Sequence, residues 1–220
     1  MMTTSTTRLL LIRHGETEWN TLKRYQGQHD SPLTAKGRAQ AGRIAERLAD
    51  VRFTHLLSSD LGRARATAEC IAAAHPGVPV ETDSRLRERH FGILTGMTRA
   101  EAAAAHPHEE ARYLSGDPDY RIPDGESLRD VAERAALALE AWAVRWEGET
   151  FVAVTHGGVC GQFLRHVLGI PLTAARAYKF VNCALNVFTR ECSEGREPRW
   201  FLHTWGDVEH LHGIGAEDDL

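Results

Sequence analysis

The chain has 220 residues, 42 % hydrophobic and 25 % charged, and its 26 basic and 30 acidic side chains leave a formal net charge of −4. This is the balance of an ordinary globular domain with a substantial core, and it excludes disordered and membrane-embedded classes. No basic stripe is present to neutralise a nucleic-acid backbone, so an anionic small molecule has to be met by positive charge gathered at one site.

In chain order, Met1 to Thr7 is polar and Thr-rich and reads as a frayed start. Arg8 to Arg13 holds the apolar run Leu-Leu-Leu-Ile, short and continuous as in a strand covered on both faces. His14-Gly15-Glu16-Thr17 interrupts it as a loop. Leu33 to Asp50 follows with Thr34 as N-cap and helical spacing at Ala41, Ile44, Ala45 and Leu48. Phe53 to Ser58 reads as a strand and Asp60 to Ala74, rich in Ala and Arg, as a helix. The turn Pro76-Gly77-Val78-Pro79 leads into a brief extended piece.

Met97 to Ala105 reads as a helix that ends before His106-Pro107, and Tyr113 to Gly125 as a loop. Glu126 to Trp146 is a long helix with Leu128, Val131, Ala135, Leu139 and Trp142 on one face. Phe151 to Thr155 is the clearest strand, broken at His156-Gly157-Gly158 and followed by a helix over Val159 to Leu168. Val181 to Thr189 and Arg199 to Trp205 are the last strands.

Strands alternating with helices imply an α/β fold, a three-layer α/β/α sandwich around a mostly parallel sheet. One domain over residues 1–220 is expected, with a lid inserted at about 93–125. The run Leu9 to Ile12 is far too short to span a bilayer and lacks a signal-peptide layout, so a cytoplasmic protein with no membrane association is expected. Cys70, Cys160, Cys183 and Cys192 form no CxxC pair and are expected to be reduced. His106-Pro107-His108 and His210-Leu211-His212 lack metal-ligand spacing, and no Walker A pattern occurs, so neither a metal nor a cofactor is expected.

Two histidines share one unusual context. His14 and His156 each end a strand and each precede Gly, and ligands of open α/β sheets bind beyond the carboxyl ends of strands. If the two strands are neighbours, the imidazoles converge. Arg13 and Arg63 lie at strand-to-helix junctions, and arginine's planar fork suits phosphate.

Leu11-Ile12-Arg13-His14-Gly15-Glu16-Thr17-Glu18-Trp19-Asn20 resembles the RHG signature of the histidine phosphatase superfamily. The resemblance continues through Tyr25-Gln26-Gly27, Pro32-Leu33-Thr34, Ser58-Ser59-Asp60-Leu61 with Arg63-Ala64, and Leu86-Arg87-Glu88 with Phe91-Gly92. Gly125-Glu126-Ser127 and Thr155-His156-Gly157-Gly158 complete a series that keeps family order from about Leu9 to Asn182. It implies that His14 is the nucleophile, that Arg13 and Arg63 hold phosphoryl oxygens, that His156 stabilises their charge and that Glu88 is the general acid. It implies too that Asn20, Gln26 and Gly27 line the entrance and contact phosphate or substrate, and that the Gly157 amide completes the pocket.

The partner expected is a small phosphorylated substrate, met by a monomer or homodimer. Family members differ in what accepts the phosphate, water in phosphatases and a bound phosphoglycerate in mutases. Glu88-Arg89-His90-Phe91-Gly92 resembles the mutase segment, in which the Arg and His help hold substrate. The short stretch from Glu88 to Gly125 and the absence of paired arginines after Met97 favour a phosphatase. Asn182 followed by Trp200, Trp205-Gly206-Asp207 and His210-Leu211 resembles the C-terminal end of phosphatase-type members. A silent phospho-ligand-binding protein is the remaining alternative, disfavoured because every chemical residue is present.

Overall fold

The computed structural model describes residues 4–214. Strands β1 (Thr4–Arg13), β2 (His55–Ser58), β3 (Val80–Thr82), β4 (Thr150–Thr155), β5 (Leu185–Ser193) and β6 (Arg199–Asp207) form one sheet in the order β3-β2-β4-β1-β5-β6. β1, β4, β2 and β3 pair in parallel, whereas β5 runs antiparallel to both β1 and β6, so β5 alone is reversed. The sheet is mostly parallel, as expected.

Successive side chains of a strand point to opposite faces, and both faces of this sheet are covered. Leu9, Leu11, Phe151 and Ala153 face a core shared with α6 (Leu128–Arg145) and α7 (Gly157–Leu168). Leu10, Ile12, Val152 and Val154 face the opposite core, built with α2 (Ala35–Leu48) and α3 (Gly62–Ala73). The continuous apolar run of β1 is therefore two alternating faces, and the three layers follow.

Several boundaries move. β1 begins at Thr4 rather than Arg8, because Thr4 to Thr7 pair with Ser193 to Arg190 of β5; Met1 to Thr3 lie outside the described residues. β5 starts at Leu185, not Val181, since Cys183 has a φ of 55° and turns the chain. The proline at 107 starts a helix as well as ending one: α4 (Arg99–Ala105) is followed by α5 (Pro107–Leu114), with Pro107 in its first turn where the missing N–H costs nothing. The loop expected from Tyr113 thus begins after α5. Glu18–Thr21 forms a short helix, α1, capped by Thr17. Residues 93–125 carry their own small cluster of Leu94, Ala102 and Ile122 packed with Tyr25, Phe91, Tyr113 and Tyr120. No helix among the described residues is long and apolar enough to cross a membrane.

Candidate active site

The register Arg13↔Thr155 sets β1 and β4 side by side, so the residues just past their ends share one crevice. The His14 and His156 ring centroids are 5.1 Å apart. Both residues are buried, His14 at 3 % exposure and His156 at 0 %.

The His14 tautomer follows from its hydrogen bonds. Nδ1 lies 2.7 Å from the Gly15 carbonyl, which can only accept, so Nδ1 carries the proton. Nε2 is then a lone pair, and the Arg63 Nε–H donates to it at 3.2 Å. Burial, then the charges of Arg63 and Arg13, hold the His14 pKa well below its ordinary value of 6.5. His14 is neutral at pH 7, with a nucleophilic nitrogen aimed at a cation. His156 caps α7 in extended conformation, and its Nε2 lies 2.9 Å from the Ser59 hydroxyl. Its pKa is lowered for the same reasons, burial first and Arg63 second. Its Nδ1 is buried with no hydrogen-bond partner among the described residues, an unmet polar group beside His14.

Two buried guanidiniums supply the local positive charge. Arg13 donates to the Phe180 carbonyl. Arg63, on the first turn of α3, is held along its fork: Nη1 donates to the carbonyl of His29 at 2.9 Å and to Asp30 at 3.3 Å, and Nη2 to the Gly27 carbonyl at 2.7 Å. Asp30 also accepts the Gly62 and Arg63 backbone N–H groups, so one carboxylate caps α3 and orients its arginine. Burial lowers the Arg63 pKa, while Glu88 and Asp30 act to raise it.

Glu88 meets the site from the segment after β3. Its Oε2 accepts the Gly158 N–H at 2.9 Å and its Oε1 accepts the Arg89 N–H at 2.8 Å. A Cβ at position 158 would overlap the Glu88 carboxylate, so glycine is what lets the acid approach the first turn of α7. The Glu88 carbonyl accepts from Arg134 Nη2 at 2.9 Å, and Arg134 also binds both Glu126 carboxylate oxygens, at 2.8 and 2.9 Å.

The remaining expected residues gather at the crevice but differ in what they hold. Asn20 Oδ1 accepts the Thr17 N–H and hydroxyl, at 3.0 and 2.9 Å, and the Gln26 side chain donates to the same hydroxyl at 2.7 Å. These contacts shape the loop that carries His14. Gly27, at a φ of 56°, turns its carbonyl onto Arg63. Gly157 opens α7 as a buried residue against Phe180 and Arg13.

Arg89 and His90 are engaged by protein. Arg89 is buried, donating to the carbonyls of Glu126 at 2.9 Å and Tyr120 at 3.1 Å, with its guanidinium 5.3 Å from the Tyr113 ring centre. His90 Nδ1 accepts the Gly92 N–H at 3.0 Å. Residue patterns gave no role to Asp30, Ser59 or Asn182. Asn182 is 1 % exposed and donates to the His14 carbonyl at 2.8 Å. Its advance signals were a place at the end of the ordered motif series and in the C-terminal resemblance to phosphatase-type members, neither of which gave it a role.

Two buried guanidiniums beside a neutral, lone-pair-bearing histidine are the kind of arrangement that phosphoryl transfer calls for. Residues 9–207 match the histidine phosphatase superfamily (branch 1). The "Probable phosphoglycerate mutase GpmB" of Serratia proteamaculans is 41 % identical over 201 residues, covering 91 % of this chain and 93 % of that one. The solved structure of Bacillus stearothermophilus YhfR superposes with a TM-score of 0.85 at 34 % identity, covering 93 % of this chain and 99 % of that one. A mycobacterial glucosyl-3-phosphoglycerate phosphatase, solved as a complex with VO3, gives 0.77 at 33 % identity over 90 % of this chain and 98 % of its own. The chain belongs to the histidine phosphatase superfamily.

Proposed function

We propose that the protein is a phosphohydrolase that dephosphorylates small phosphorylated molecules through a phosphohistidine on His14. The observation that carries this reading is the His14 tautomer: a buried neutral imidazole with Nε2 unprotonated and turned to the Arg63 guanidinium. His14 Nε2 attacks phosphorus as the ester P–O bond breaks, and Glu88 gives its proton to the leaving oxygen. The Glu88 carboxylate then takes a proton from water, whose oxygen attacks phosphorus as the P–N bond breaks. Inorganic phosphate leaves and His14 returns to its starting state. Arg13, Arg63, His156 and the Gly157 amide neutralise charge on the phosphoryl oxygens. Positioning and charge dominate this kind of transfer.

The second reading, a cofactor-dependent phosphoglycerate mutase, is favoured by the names of relatives such as the Serratia protein and by Glu88-Arg89-His90-Phe91-Gly92. Against it, Arg89 Nε and Nη2 donate to backbone carbonyls and His90 Nδ1 accepts a backbone N–H. The test follows phosphate release and 2-phosphoglycerate formation from 3-phosphoglycerate, with and without 2,3-bisphosphoglycerate, alongside a panel of other phosphomonoesters. Phosphate release lost in His14→Ala supports the hydrolase. Bisphosphoglycerate-dependent isomerisation with little phosphate release overturns it.

A further inference from the structure

Ser59 stands one residue past the end of β2, and its main chain is held on both sides. The Ser59 N–H donates to the Val154 carbonyl at 2.9 Å, and the Ser59 carbonyl accepts the Ser58 hydroxyl at 2.7 Å. The parallel register Ser58↔Val154 runs β2 and β4 out together, so the first residues beyond the two strands, Ser59 and His156, are neighbours. The Ser59 hydroxyl lies 2.9 Å from His156 Nε2, and both residues are 0 % exposed.

The direction of that hydrogen bond follows from counting protons. Among the described residues the Ser59 oxygen has one other contact, the Leu61 N–H, which donates to it at 3.4 Å. The hydroxyl carries one hydrogen of its own, solvent does not reach it, and the acceptor within range is His156 Nε2. Were Nε2 protonated, the Ser59 hydrogen and the Nδ1 lone pair would both be buried and unmet. With Ser59 donating, the Nδ1 group alone is unmet, and the arrangement with fewer buried orphans is the stable one. Burial and the nearby Arg63 charge keep the ring neutral, so it holds a single N–H, and that proton sits on Nδ1.

The two histidines then share a tautomer but keep opposite groups in hand. His14 spends its Nδ1–H on the Gly15 carbonyl and keeps the lone pair of Nε2, whereas His156 spends its Nε2 lone pair on Ser59 and keeps Nδ1–H. We infer that Ser59 is a positioning residue whose hydroxyl donates to His156 Nε2 and so fixes His156 as a neutral Nδ1–H donor for a phosphoryl oxygen. The other tautomer would set a lone pair against that oxygen, turning charge stabilisation into repulsion. The donor role rests on the phosphohydrolase reading; the tautomer and its cause do not.

The experiment reads the tautomer directly, from long-range proton–nitrogen correlation spectra of isotope-labelled histidine side chains at pH 7, with His156→Gln assigning the signal. The native protein should show His156 protonated on Nδ1, and inorganic phosphate should shift that N–H resonance. Ser59→Ala should populate the Nε2-protonated form and lower kcat on the best phosphomonoester roughly tenfold to a hundredfold, less than outright loss of an oxyanion donor, with a smaller change in KM. Ser59→Thr, which keeps the hydroxyl, should restore the tautomer and most of kcat. Nε2 protonated in the native protein, or Nδ1 alone protonated in Ser59→Ala, overturns the role of Ser59 and leaves the hydrolase reading untouched. The native spectrum decides the direction of the bond even where Ser59→Ala does not fold. A resonance that phosphate leaves in place overturns the donor role. The expected tautomer and phosphate shift, in a protein that hydrolyses no phosphomonoester, remove the hydrolase reading and leave the Ser59 assignment standing.

Discussion

Arg134 reaches across from α6 to the segment that carries Glu88, and its removal is the perturbation whose cost the structure defines best. Its fork binds both Glu126 oxygens, at 2.8 and 2.9 Å, and it donates to the carbonyls of Arg85 at 2.8 Å, Arg87 at 2.6 Å and Glu88 at 2.9 Å. Each side chain of the ion pair is 18 % exposed. Breaking a buried pair by removing one partner costs about 3–5 kcal/mol, because the other charge is left uncompensated; residual solvent access places Arg134→Ala near the lower end, about 3 kcal/mol. For a chain of this length that is a fall in Tm of about 6–12 °C. Burial acts to raise the Glu126 pKa, but Arg134 and the His90 N–H outweigh it and hold the carboxyl below its ordinary value of 4.5. The stability this contributes is complete above 4.5 and is lost as pH falls through the lower native value. Glu126→Gln should cost less, about 1–2 kcal/mol, and should relieve part of the Arg134→Ala penalty. Urea unfolding of the two single variants and the double, followed by tryptophan fluorescence at pH 7, should give a coupling of about 1–2 kcal/mol. Because the strut holds the backbone of the acid, kcat of Arg134→Ala should fall about tenfold. A stability loss under about 1 kcal/mol, or additive single effects, would refute the account of a coupled strut.

Three further outcomes follow from the site. Burial keeps His14 and His156 neutral when native, so the unfolded chain binds more protons below pH 6.5 and stability falls on acidification, each histidine removing up to about 1.4 kcal/mol per pH unit; equal urea midpoints at pH 7 and 5.5 would contradict this. Over the same range kcat/KM, corrected for substrate ionisation, should show no inflection at 6.5 that traces to His14. Asn182→Ala removes the donor to the His14 carbonyl and should cost about 1–3 kcal/mol and about tenfold in kcat; stability lost with activity intact would make it a packing residue only. Gly27→Ala meets both a φ of 56° and the Arg89 carbonyl 2.9 Å from its new Cβ, a strain of about 1–3 kcal/mol. Since the Gly27 carbonyl holds Arg63, inhibition by inorganic phosphate should weaken severalfold, and an unaltered inhibition constant would separate the turn from the pocket.

Much of the fold was legible because the apolar residues carry their own geometry. Four consecutive apolar residues in β1 can be buried together only in a strand with cover on both sides, and that cover is α6 and α7 on one face and α2 and α3 on the other. Thr4 to Thr7 gave no such signal. They are strand because β5 runs beside them, a contact between residues separated by most of the chain, and β-branched threonines accept that pairing without demanding it. The helix at Pro107–Leu114 was hidden by a rule with two sides: proline ends a helix that precedes it and opens one that follows.

The site divides along a physical line. Side chains suited to phosphoryl chemistry have few substitutes, so Arg13, His14, Arg63, Glu88 and His156 stood out by type and order. What orients them is largely main chain: the carbonyls of Gly15, Gly27, His29 and Phe180, and the N–H groups of Arg89 and Gly158. Any residue type supplies a carbonyl, so these contacts leave no mark on residue pattern except where the backbone must do something only glycine tolerates, as at Gly27 and Gly158. The same reasoning bears on Arg89 and His90. Their types matched substrate-holding residues, yet type does not say whether a fork meets a ligand or a carbonyl of its own chain. Arg89 is buried, and its Nε and Nη2 donate to the carbonyls of Glu126 and Tyr120.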